Sequence, residues 1–164
     1  MRTKKFFPIL IHIIVCVCWY VLNYLFLIGP EPGILTQYIY NFINQQLAII
    51  MMMAIIIIGT GITFYVYFNV GKQIQDIKTN DKIISILGVI FFNLLILLAI
   101  FTCTKNISLT IYYSQLTINA PFFALIAQFK LSEFSSLIFC STIPSIMMFC
   151  GAIWGRLIYF NFLN

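Results

Sequence analysis

Hydrophobic residues fall in four long blocks along this chain, about 6–28, 47–68, 83–103 and 137–160, and the stretches between them hold nearly all of the charge. Within a block the apolar positions keep no period of two or of 3.6. The run from Leu47 to Ile58, for example, is apolar on every face of a helix. A helix apolar all round has lipid, or a very large core, as its surroundings. At about 1.5 Å per residue, each block is long enough to cross a hydrocarbon layer of about 30 Å. The pattern predicts an all-α membrane protein with four transmembrane helices, and the chain reads as a single integral membrane domain over 1–164.

The punctuation supports this division. Gly29-Pro30-Glu31-Pro32-Gly33 ends the first block, because two prolines lack amide donors and glycine favours turns. Ile34 to Gln46 follows, too polar to span and rich in Tyr38, Tyr40 and Phe42, as expected of a segment lying at the headgroup level. Between the second and third blocks, Gly71 to Lys82 reads as a charged turn containing Lys72, Asp76, Lys78, Asp81 and Lys82. The longest connection, Thr104 to Ser136, contains an apolar patch, Pro121 to Phe129, that is too short to cross. Both outer connections are thus expected to hold short interfacial segments.

Charge orients the blocks. With the N-terminus in the cytoplasm, Arg2, Lys4, Lys5, Lys72, Lys78, Lys82 and Arg156 lie inside and only Lys105 and Lys130 outside. Basic residues concentrate on the cytoplasmic side of membrane proteins, so both termini are expected there. The basic start does not make the first block a signal peptide: the apolar run is too long and no small-x-small site closes it. The formal charge of +5 does not point to nucleic acid, since the basic residues are scattered at block ends.

Composition agrees, with 62% hydrophobic and 8% charged residues where soluble chains carry roughly a quarter charged. The partners expected are the lipid bilayer and a larger membrane protein or further copies of the chain, in a bacterial cytoplasmic membrane.

Candidate chemistry is sparse. His12, Cys16, Trp19 and Asn23 recur at i, i+4, i+7 and i+11 on one stripe of the first helix. Polar groups in hydrocarbon need partners, so the stripe should face other helices. His12 is then either a titratable group in a cavity or a ring held by internal hydrogen bonds, and no acid in its own span completes a proton relay. Gly59 and Gly61 in the second block, and Gly151 and Gly155 in the fourth, are candidate helix-packing positions, because small residues let backbones approach closely in lipid. Asn93 is the strongly polar side chain deep in the third block. The five cysteines form no C-x-x-C, and neither a metal nor another cofactor is expected. Cys103 and Cys140 both lie near the outer face, where a bridge would need Cα atoms within about 7 Å.

Four spans in a chain of this size are similar in outline to the bacterial lipoprotein signal peptidases, membrane disulfide oxidoreductases and small multidrug exporters. The resemblance stops at the chemistry. The first use two intramembrane aspartates, the second a cysteine pair in each outer loop, and the third an embedded glutamate. Here Glu31, Asp76, Asp81 and Glu133 all lie outside the blocks, and the first outer connection has no cysteine. The expectation is therefore a non-enzymatic accessory, immunity or assembly factor acting by helix packing. The alternative is a transporter or channel subunit working as an oligomer, with the His12 stripe and the small, polar patch from Gly59 to Thr63 lining its path.

Overall fold

The computed structural model describes residues 3–27, 34–42, 44–74, 79–116 and 133–163. The described residues form helices and no strand. Helix α1 is Thr3–Leu22 and continues into a π-helical turn, Asn23–Leu27; α2 is Ile34–Phe42, α3 Gln45–Gln73, α4 Thr79–Thr104, α5 Ile107–Leu116 and α6 Glu133–Leu163. Three stretches, Phe6–Phe26, Gln45–Gln73 and Asn80–Thr104, are long and apolar enough to cross a membrane. The fourth block forms the 31-residue α6.

Local chemistry sets the boundaries. Asn44 starts α3 from an extended conformation, its side-chain oxygen accepting from the amides of Gln46 (2.8 Å) and Leu47 (3.2 Å), which satisfies donors that a helix start leaves open. Lys105, at φ 49°, ends α4 in the left-handed region, and its amide closes on the Phe101 carbonyl at 2.8 Å. Asn106 then opens α5, with its side-chain oxygen 3.2 Å from the Leu109 amide. A π turn leaves carbonyls out of the regular ladder. The Phe26 carbonyl receives the Thr36 hydroxyl at 2.9 Å, which ties α2 to the end of α1.

Two boundaries differ from the sequence expectation. The charged turn was expected to begin at Gly71, but α3 continues to Gln73 and buries Gly71 inside the bundle. Charge near a helix end marks the water boundary rather than the last helical residue. A helix also occupies 107–116, where polar Ser, Thr and Gln hide a buried face made of Thr110 and Ser114. The patch Pro121 to Phe129 lies outside the described residues.

Contacts give the directions. Ile9 lies over Gly88 and His12 meets Asn93, so α1 and α4 run the same way. His12 meets Tyr67 while Trp19 meets Thr63, so α3 runs against α1. Ser145 meets Ile86 and Asn93 meets Ser141, so α6 runs against α4. The start of α1, the end of α3, the start of α4 and the end of α6 therefore lie toward one end of the bundle. Near that end Tyr67, Val70, Ile74, Ile86, Val89 and Met148 form the main apolar cluster.

The closest approach is between α3 and α6. A Cβ on Gly71 would fall on the Met148 carbonyl oxygen, and one on Gly151 would fall on the Phe68 carbonyl oxygen. Burial of apolar surface does not drive association in lipid, because the lipid tails are equally apolar. Close backbone packing and hydrogen bonds do. These two glycines provide the first of those terms.

Candidate functional site

The His12 stripe faces the interior: His12 is 0% exposed, Asn23 1%, Trp19 3% and Cys16 9%. Its positions lie three or four residues apart, so one side of α1 carries them all into the bundle. Around His12 they meet polar groups of α3 and α4, and Asn93 extends the contact to α6.

The His12 Nε2 atom lies 2.8 Å from Asn93 Oδ1 on α4, and Nδ1 lies 2.8 Å from the Tyr67 hydroxyl on α3. The Asn93 amide nitrogen donates to the Ser141 carbonyl of α6 at 3.3 Å. This bond orients the amide, so the atom facing His12 is an oxygen and only accepts. Nε2 therefore carries the ring proton, and Nδ1 accepts from the Tyr67 O–H. The result is a directed thread, Tyr67 to His12 to Asn93 to the Ser141 carbonyl, with one member from each of the four long helices.

Ser141 lies in α6 three residues before Pro144, whose missing amide leaves open the carbonyl of the residue before Ser141. One turn on, the Ser145 hydroxyl donates to the Ile86 carbonyl at 3.1 Å. The α4–α6 seam thus has side-chain-to-backbone bonds in both directions.

A second link joins α1 and α3. Trp19 donates its indole N–H to the Thr63 hydroxyl at 2.7 Å, and Thr63 passes its own proton to the Gly59 carbonyl at 2.9 Å. Gly59 is the slot for the indole ring, since a Cβ there would come within 2.8 Å of two Trp19 ring carbons. Gly61 has open space where a Cβ would be, so the structure does not place it at a helix contact. Gly155 is buried.

Cys16, His12 and Asn93 have the composition of a thiol–imidazole–amide triad, but the atoms are arranged otherwise. The Cys16 sulfur is 3.6 Å from Nε2, whose proton points to Asn93, and 3.9 Å from Nδ1, which faces Tyr67. A thiol proton would have to go to Nδ1, the more distant nitrogen and the one already engaged. Cys103 is a free, exposed thiol, so no bridge to Cys140 is closed. Among the described residues no three His, Cys, Asp or Glu side chains converge to hold a metal ion.

Sequence reasoning singled out His12, Trp19, Asn23, Asn93 and Thr63 but missed Tyr67 and Gly71. A signal was present: Thr60, Thr63 and Tyr67 recur at i, i+3 and i+7, the stripe on α3 that faces the one on α1. Gly71 was hidden by the lysine beside it.

No protein-family model matches this sequence, and neither a curated protein nor a solved structure matches it.

Proposed function

We propose that this is a four-span protein of a bacterial cytoplasmic membrane, with both termini in the cytoplasm, that acts without enzymatic chemistry as an accessory, immunity or assembly factor packing against a larger membrane complex. One observation carries the reading. The polar thread through the bundle ends on the Ser141 backbone carbonyl, and His12 within it is fully buried with both ring nitrogens bonded to the protein. Such a thread holds four helices in register and leaves no group of its own for a substrate. A transport path needs the opposite, a polar group that water or an ion can reach.

The fourth crossing is supported by α6 running antiparallel to α4 along the Ile86 and Asn93 contacts. The basic residues at the shared end support the orientation. With its polar groups directed inward, the chain offers a partner mainly its outer apolar faces, where Ile57, Ile62, Tyr65 and Leu98 are exposed.

Purification in a lipid-preserving polymer, from cells in which the chain is present at its natural level, tests this. A larger membrane protein at fixed stoichiometry, recovered equally by pulling on either component, is the expected result. A homo-oligomer alone, with ion or solute flux that disappears in His12→Asn, would establish the transport reading instead.

A further inference from the structure

Between α4 and α6 lies a groove of about 330 Å³ that presents no polar surface. Ile83, Leu87 and Ile90 form one wall, and Ile146 and Phe149 form the other. Its floor holds Ser145, whose hydroxyl is directed to the Ile86 carbonyl. Nothing in the groove can recognise a polar guest. Wall residues Ile83, Leu87, Ile146 and Phe149 are all exposed, so the groove opens sideways. From Ile83 to Ile90 it runs roughly 10 Å, about two-thirds of the roughly 15 Å depth of one leaflet's hydrocarbon.

Its lower end is basic. Lys82 lies beside Ile83 and one turn from Ile86 on the same side of α4. Arg156 lies seven residues beyond Phe149, nearly in line with it on α6. Because the two helices are antiparallel, both cations are at the same end. Among the described residues near this end, Lys72, Lys82 and Arg156 are basic and Asp81 is acidic, so the net charge there is positive. An apolar slot below a pair of cations matches a hydrocarbon chain with an anionic head.

We infer that this groove binds one acyl chain of an anionic phospholipid from the leaflet at the Lys82 end, with the lipid phosphate between Lys82 and Arg156. The inference rests on the reading that α4 and α6 lie in the bilayer with these ends at the cytoplasmic face. Basic sites between helices on that side are suited to anionic headgroups, each cation contributing roughly a fivefold preference.

Electron spin resonance of chain-labelled lipids tests it on the full chain reconstituted in phosphatidylcholine vesicles. Labelled phosphatidylglycerol should be immobilised by the protein at least roughly fivefold more readily than labelled phosphatidylcholine. Leu87→Trp, which fills the groove from one wall, and Ile146→Trp, which fills it from the other, should each remove most of that preference. Lys82→Gln, outside the groove, should lower it by roughly fivefold and still decides the question if a filled groove prevents folding. Equal immobilisation of the two lipids in the unmodified chain overturns the inference, as does a preference that both tryptophan variants retain. So does a tryptophan variant that turns a dimer into a monomer while lipid preference is unchanged, since the occupant is then a second copy. If neither lipid is immobilised, the membrane reading fails as well.

Discussion

His12 shows how one side chain acquires its role from its neighbours. An imidazole offers one donor and one acceptor when neutral, and here Asn93 takes the donor while Tyr67 supplies the acceptor's partner. Tyr67→Phe keeps the ring packing and removes only the hydroxyl. A double-mutant cycle of Tyr67→Phe with His12→Asn, measured by reversible unfolding in mixed micelles, should give a coupling of about 0.6 kcal/mol, the average for hydrogen bonds between membrane helices, and no more than about 1.7 kcal/mol. Additive effects would mean that the bond contributes nothing. Lys105 illustrates the reverse, a residue in a conformation that suits another. Its left-handed φ costs a side chain about 1 kcal/mol relative to glycine, so Lys105→Gly should raise stability by about that amount in the same assay.

Among the elements, α3 and α6 form the seam that tolerates least. Gly71→Leu and Gly151→Leu each place a side chain on a facing carbonyl oxygen, and rigid backbone cannot yield as a flexible side chain can. Both variants should fail to give a monodisperse bundle by size-exclusion chromatography. Gly61→Leu, directed into open space, should elute as the unmodified chain does and differ in stability by less than about 0.5 kcal/mol. The contrast also marks what was legible in the sequence. Helical blocks could be read because an apolar run long enough to cross lipid has few other uses, and the inward stripe of α1 because its polar residues keep helical spacing. The depth of Gly71 could not, since proximity to Lys72 gives the same pattern for a turn as for a buried last helical turn. Nor could the pairing of His12 with Tyr67, which depends on which helices are neighbours, and no local pattern specifies that.

At the scale of the whole molecule, the proposed topology and the sealed interior are separate claims with separate tests. Reporter domains joined after Asn164 and inserted near Thr79 should both be cytoplasmic, and one inserted near Gln115 should be exported. The same side for Thr79 and Gln115 would mean that α4 does not cross. On the proposed function, the thread from Tyr67 through His12 and Asn93 to the Ser141 carbonyl is bonded within the bundle and closed to water, so that it maintains structure rather than conducting. The chain has one histidine, so nitrogen-15 magnetic resonance of the labelled protein in bilayers reads His12 without ambiguity. A single tautomer with the proton on Nε2, hydrogen bonds at both ring nitrogens, and no exchange of the ring proton with deuterated water over hours are the expected result. A ring proton that exchanges rapidly, or a signal divided between tautomers, would contradict it.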